Sequence, residues 1–261
     1  MVIKNFSVGE ALIEAIIEGS GNIIILLPGL GADASTYEQF TPMLNDAGYQ
    51  TVAINLRGIS ESSGPLKGLS LHDLASDVAG VIELLEAAPV HVVGWAFGNR
   101  VARCLAADRP ALVKTIILLA AGGKAKPDSE AMNHLLKLYQ PNIPKDERIK
   151  AAHLSLFSPA TNPDKILATF KNRKFWPKAA IAHSTANQST SVEDWWSGGE
   201  ASMLVIQGLD DRIAPPANGR ALRDDFSERV KLIELENAGH ALIYEKREII
   251  AKKIISFLQE Q

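Results

Sequence analysis

Several things are scarce in this 261-residue chain, and each scarcity excludes something. It holds a single cysteine, Cys104, so no internal disulfide can form. Lysine and arginine number 27 against 30 aspartates and glutamates, a net charge of -3. With a pI near 6.1, no basic surplus is available to neutralise phosphates, and nucleic acid is not expected as a partner. No apolar run reaches the roughly 18 residues a membrane span needs. The opening segment Met1–Glu10 lacks a basic stretch followed by an apolar one, so no signal peptide is expected and the location reads as cytoplasmic. No Gly-x-Gly-x-x-Gly or phosphate-loop pattern occurs, and no spacing of cysteines and histidines suggests a metal. No cofactor is expected.

What remains is an ordinary globular composition, 46% hydrophobic and 22% charged, enough to bury a sizeable core. Continuous apolar runs at Asn22–Leu27, Thr51–Asn55 and Val113–Ala120 read as strands covered on both faces, and the β-branched run of Val90, Val92 and Val93 reads as another strand. An earlier strand is read at Ala11–Ile17. Helical spacing separates the buried runs at Ala34–Ala47, from Ser70 to about Ala87, and at Phe97–Ala107, with Ser70 and Asp73 forming a capping-box pattern. Strands alternating with helices predict an α/β protein with a mostly parallel, doubly wound sheet. The alternation stops at Gly122–Gly123. Residues 124–200 read as an inserted helical unit, with helices at Ser129–Tyr139, Lys145–Phe157, Asp164–Lys171 and Pro177–Ala186. It resumes with a strand at Ser202–Gln207, a helix near Asn218–Phe226, a strand at Val230–Leu235 and a helix from His240 to Leu258. The expected division is a core of 1–123 and 201–261, interrupted by the insertion.

The chemistry-bearing stretch is Gly94-Trp95-Ala96-Phe97-Gly98, set between a β-branched strand and a helix. This is the strand, sharp turn and helix of a nucleophile elbow, Gly-x-Ser-x-Gly, with alanine in the place of serine. The flanking glycines admit a turn too tight for a Cβ, and the turn exists to raise one side chain above the sheet. Here that side chain has no oxygen. Downstream, a strand runs into Gly208-Leu209-Asp210-Asp211, and the last strand is followed by Asn237-Ala238-Gly239-His240. Both lie just past the carboxyl end of a strand, where open α/β sheets bind ligands. A serine nucleophile needs a histidine base, and the base an orienting acid.

With these motifs in order over nearly its whole length, the chain resembles the α/β-hydrolase superfamily, in its serine esterase or lactonase form with a helical cap. The resemblance implies Ala96 at the nucleophile position, Asp211 (rather than Asp210) as acid and His240 as base. Pro28-Gly29-Leu30-Gly31 resembles the family's His-Gly-x-Gly loop with proline for histidine, which implies an oxyanion hole from the backbone N–H groups of Leu30 and Phe97. Asn55-Leu56-Arg57-Gly58-Ile59-Ser60 resembles the family's Asp-x-Arg-Gly-x-Gly segment and departs from it at Asn55. Ser60 and Ser62 lack an elbow and read as loop hydroxyls. The insertion sits where the family places its cap.

Trp95 and Trp176 are candidate substrate contacts, and the aromatics of the insertion read as its own core or as an apolar lining. Cys104 reads as a buried apolar residue. His72, His91, His134, His153 and His183 read as surface or packing residues, with the last three also placed to meet a substrate. The implied function is hydrolysis of a fairly apolar carboxylic ester or lactone through an acyl-enzyme, by a monomer or homodimer. An intact acid, base and oxyanion loop around one missing oxygen is the pattern a deliberate substitution leaves. A carbon–carbon hydrolase, a lyase, a thioesterase or a natural non-catalytic binding protein on the same frame are the alternatives.

Overall fold

The computed structural model describes residues 1–140, 142–170 and 174–261. Eight strands form one sheet: β1 (Val2–Val8), β2 (Ala11–Gly19), β3 (Asn22–Leu27), β4 (Tyr49–Ile54), β5 (Val90–Trp95), β6 (Val113–Leu119), β7 (Ser202–Gly208) and β8 (Val230–Leu235). Their order is β1-β2-β4-β3-β5-β6-β7-β8. The pairs β1–β2 and β2–β4 are antiparallel, and every pair from β4 onward is parallel. This is the α/β-hydrolase fold.

The helices are α1 (Thr41–Asn45), α2 (Leu71–Leu84), α3 (Phe97–Asp108), α4 (Ser129–Leu138), α5 (Lys145–Leu156), α6 (Pro163–Phe170), α7 (Pro177–Ser189), α8 (Val192–Trp195), α9 (Ala217–Asp225), α10 (Leu242–Glu245) and α11 (Arg247–Gln259). Side chains alternate along each buried strand and so supply two cores, one per face. Ile25, Leu27 and Val92 face one core with Val78, Val101 and Leu105 of α2 and α3. Ile24, Leu26 and Val93 face the other with Leu44 of α1 and Ile250, Ile254 and Phe257 of α11. Helices cover both faces, which is why the central strands are apolar throughout.

The structure departs from the sequence reading at four elements, three of them for local reasons. The edge strand β1 was not anticipated. It buries only Phe6 among exposed residues, so its sequence carries no two-faced apolar run. The helix expected over Ala34–Ala47 is instead a 3₁₀ turn at Ala34–Tyr37 followed by α1, because Pro42 starts a new helix and cannot continue the old one. The helix expected from His240 divides into α10 and α11 at Lys246, whose φ of -132° is not helical. The short helix α8 was not anticipated. Lys171, at the end of a predicted helix, lies outside the described residues.

Strand order reverses at β3. From β3 the chain moves outward to β4, then returns to lay β5 on the opposite flank of β3. The carboxyl ends of β3 and β5 are therefore neighbours with diverging connections, which is the switch point where sheets of this kind leave a crevice. Pro28–Gly31 leaves one end and Ala96 the other. Among the described residues, five helices, α4 to α8, stand between β6 and β7. Among the described residues, no helix is long and apolar enough to cross a membrane.

Candidate active site

The turn after β5 is held by steric necessity. Ala96 has φ 51° and ψ -111°, a conformation that side chains rarely adopt. Its N–H donates to the Leu119 carbonyl at 2.9 Å, pinning it to the next strand. A Cβ on Gly94 would lie 2.5 Å from the Asn99 backbone, and one on Gly98 2.1 Å from the Leu27 carbonyl oxygen. Only glycine lets α3 turn back so sharply over the ends of β5 and β3. The strain falls on Ala96, where such a backbone costs about 1–3 kcal/mol. Ala96→Gly is therefore expected to hold stability or raise it by up to about 1 kcal/mol, although the same change inside a helix destabilises by a similar amount. Urea unfolding measures this, and a loss above 1 kcal/mol would show Ala96 to be unstrained.

Two loops converge beside this turn. Asp211 ends the turn after β7, and its side chain is fully buried. Its Oδ1 accepts from the backbone N–H groups of Ile213 and Ala214 at 2.9 and 2.7 Å. Its Oδ2 lies 3.0 Å from His240 Nδ1. A carboxylate only accepts, so Nδ1 carries the proton and Nε2 is left with the lone pair. Asp210 turns elsewhere and accepts from the Ser158 hydroxyl at 2.6 Å. Gln207 ties the acid's loop to the sheet, accepting from the Ala121 N–H and donating to the Ala214 carbonyl.

His240 is held from two sides. Trp95, the neighbour of Ala96, donates its indole N–H to the His240 carbonyl at 2.9 Å, and the two rings lie 6.2 Å apart. From the other side, Ala241 N–H bonds the Leu156 carbonyl at the end of α5, and Gly239 N–H bonds Glu245. A Cβ on Gly239 would sit 2.6 Å from that Leu156 carbonyl, so the close approach requires glycine. Trp95 itself is 4% exposed, enclosed by Gly29, His240 and Tyr244. It supports the histidine rather than presenting a face to solvent.

The loop Pro28–Gly31 is braced by Tyr37, whose hydroxyl donates to the Leu27 carbonyl at 2.7 Å, and by Asn55, whose side chain accepts from Ala34 N–H at 2.7 Å. Leu30 is half-buried there. Phe97 opens α3, where the first N–H groups have no acceptor within the helix. Contacts from the insertion close over both. Trp176 N–H reaches the Gly31 carbonyl at 3.4 Å. Phe175 stacks on Tyr139 and lies where a Cβ on Gly31 would collide. His183 of α7 stacks on Phe97 at 5.3 Å between ring centres, and its Nε2 lies 2.9 Å from the Arg57 carbonyl. Burial drives its pKa down to about 4, so the ring is neutral and donates to that carbonyl.

Gln207 did not emerge from sequence reading, and for His183 and Phe175 the sequence gives a place in the insertion but not the partners, Phe97 and Gly31. Each acts through a contact between segments distant in the chain, which no local period records. Of the insertion's aromatics, Trp195 and Trp196 pack against Arg103 of α3 and Phe157 joins a small core with Leu156 and Ala241; Ser62 bridges Glu14 and Asn55. The side chain of Phe170 lies outside the described residues.

A buried carboxylate–imidazole pair, an elbow and a braced glycine loop at the switch point of a parallel sheet define a hydrolase-type α/β protein. The chain belongs to the alpha/beta hydrolase family, whose model matches residues 24–253. It is similar to the AB hydrolase superfamily protein YisY of Bacillus subtilis (strain 168), 26% identical over 257 residues and covering 92% of each chain. It is also similar to 2-(acetamidomethylene)succinate hydrolase of Mesorhizobium japonicum, 24% identical over 277 residues, covering 98% of this chain and 94% of the relative. In structure it superposes on the esterase EaEST of Exiguobacterium antarcticum with a TM-score of 0.84, at 19% identity and 98% coverage of both chains.

Proposed function

We propose that this chain is the frame of a serine hydrolase for carboxylic esters or lactones, in which Ala96 stands where the nucleophile belongs. The observation that supports this most is the Asp211–His240 pair. A protein with no use for a base has no reason to bury a carboxylate against an imidazole and to brace both loops around them. With a serine at position 96, its hydroxyl would attack the acyl carbon and His240 Nε2 would take its proton. Asp211 would hold the imidazole and balance its charge. The N–H groups of Leu30 and Phe97 would receive the oxyanion, each such donor contributing about 3 kcal/mol in the transition state. His240 would then return the proton to the leaving alcohol, and water would repeat the cycle on the acyl-enzyme. Residues 124–200 act as the cap, and Phe175 places its ring over the oxyanion loop, which suits an apolar acyl group. Ala96 leaves this apparatus able to bind an ester and unable to form the acyl-enzyme.

The test is covalent labelling. Ala96→Ser is expected to take up one fluorophosphonate group, located by peptide mass spectrometry at position 96. The parent chain is expected to take up none, and Ala96→Ser combined with His240→Gln to label at least about a hundredfold more slowly, since a positioned base contributes on that order. A folded Ala96→Ser protein that stays unlabelled would instead favour a binding protein without acyl chemistry.

A further inference from the structure

A second group of chemistry-bearing side chains lies on the far side of the elbow helix. Cys104 and Asp108 are four residues apart on α3 and so share one face of it. His72, the second residue of α2, projects between them. Cys104 Sγ lies 3.3 Å from His72 Nδ1, His72 Nδ1 lies 2.7 Å from Asp108 Oδ2, and Cys104 Sγ lies 3.5 Å from Asp108 Oδ2. Three potential ligand atoms of different chemistry thus form a compact triangle, one from each side chain.

That triangle is close to one face of a tetrahedron around zinc. Bonds of about 2.3 Å to sulfur and about 2.0 Å to nitrogen and oxygen place tetrahedral ligands roughly 3.3–3.5 Å apart. Two of the three edges already have that length, and the third must open by about half an ångström, the step that replaces a hydrogen bond with two metal bonds. The outer side is accessible, because the His72 and Asp108 side chains are 42% and 33% exposed. The inner side is closed, because Cys104 is buried. The other imidazole nitrogen, Nε2, faces Asp194 Oδ2 of α8 at 3.8 Å. A carboxylate on the far nitrogen of a ligating histidine fixes the tautomer that frees the near one.

We propose that His72 Nδ1, Cys104 Sγ and Asp108 Oδ2 form a binding site for one zinc-class divalent cation, with Asp194 orienting His72 and water as the fourth ligand. A thiolate, an imidazole and a carboxylate suit zinc and cobalt, and are a poor set for calcium or magnesium. Binding releases the thiol proton, and the imidazole proton where present, to solvent. The ion would clamp α2 to α3. It would stand apart from the catalytic loops, since Cys104 is eight residues along α3 from Ala96, a rise of about 12 Å. The proposal does not depend on the reading of Ala96.

The single cysteine makes the test clean. Untagged, metal-free protein is titrated with Co²⁺, and the thiolate-to-cobalt charge-transfer band is followed in the near ultraviolet. One equivalent per chain is expected to saturate the band, and Zn²⁺ to bleach it. Cys104→Ser is expected to abolish it. His72→Gln and Asp108→Asn change half-exposed side chains and keep the test open if the buried Cys104→Ser fails to fold. Each is expected to weaken cobalt binding at least tenfold, and Asp194→Asn about tenfold. Zinc is expected to raise the melting temperature of the parent chain alone. Absence of the band in folded parent protein, or a band unchanged by His72→Gln, overturns the proposal and leaves a hydrogen-bonded ion-pair cluster.

Discussion

Ala96→Ser is expected to raise the hydrolysis of p-nitrophenyl esters by about 10⁴–10⁶-fold over the parent chain, because loss of one member of a nucleophile–base unit costs about that much turnover. The size of the gain rests on how much of the apparatus already exists. The elbow backbone holds position 96 at φ 51° with alanine in place, so serine adds one oxygen without asking the chain for a new conformation. Asp211 already accepts four hydrogen bonds, two from backbone N–H groups, one from His240 and one from the Gln207 side-chain amide. The residual rate of the parent should then be carried by the oxyanion donors and by binding, a level typically 10³–10⁴-fold over water. In the serine background, Asp211→Asn is expected to cut kcat by about 10⁴-fold, by holding His240 in the wrong tautomer, with little change in KM. Steady-state kinetics on a panel of p-nitrophenyl esters and lactones checks all three proteins. A gain below tenfold on every substrate, in a protein whose fold is intact, would remove the catalytic reading of the pair. Activity confined to carbon–carbon or thioester substrates would keep the machinery and change the reaction.

How much of this was legible beforehand follows from which forces act locally. The bounds of β3 match the apolar run that announced it, because a strand covered on both faces is apolar throughout; β8 was read to the same bounds although it carries Lys231 and Glu234 and is mostly half-buried. The start of α2 was legible because Ser70 and Asp73 cap each other within four residues. The tight turn at Ala96 was legible because glycine spacing is itself a record of close approach. Contacts that cross between segments left no such record. Phe175 meets Gly31, and His183 meets Phe97, through the docking of the helical insertion on the sheet's loops. The group of His72, Cys104 and Asp108 was invisible for the same reason: 32 residues separate His72 from Cys104, and only the packing of α2 on α3 brings them together. Cys104 read as a small apolar residue, which its burial matches. What it touches is another matter.

Acidification from pH 6.5 to pH 4 is expected to cost the folded state about 5 kcal/mol through His91 and His183 together. Burial holds both rings neutral, with pKa values lowered to about 4. His91 sits on β5 with its Nδ1 2.8 Å from the Thr115 hydroxyl, and Lys114 adds to its depression. In the unfolded chain both titrate near 6.5. Below that pH the unfolded state gains protons that the folded state refuses, so the stability these groups contribute is present above 6.5 and is lost as pH falls toward 4. Each shift of about 2.5 units corresponds to about 3 kcal/mol. The buried histidines dominate this window because the carboxylates with depressed pKa values, such as Asp73 and Asp128, give up their contribution only at lower pH, near and below their unfolded value. His72 works in the opposite direction. Its pKa is raised, chiefly by its hydrogen bond to Asp108, so it adds stability below 6.5 that fades as pH rises, but its exposure keeps that effect small. Urea unfolding at half-unit pH steps measures the slope, which should reach about two protons taken up per chain unfolded near pH 5. His183→Gln keeps an N–H for the Arg57 carbonyl and cannot titrate, so it should remove about one of the two. Because His183 also stacks on Phe97, its proton acts where the helical insertion meets the elbow. An unfolding slope unaffected by His183→Gln would place the proton uptake on other groups.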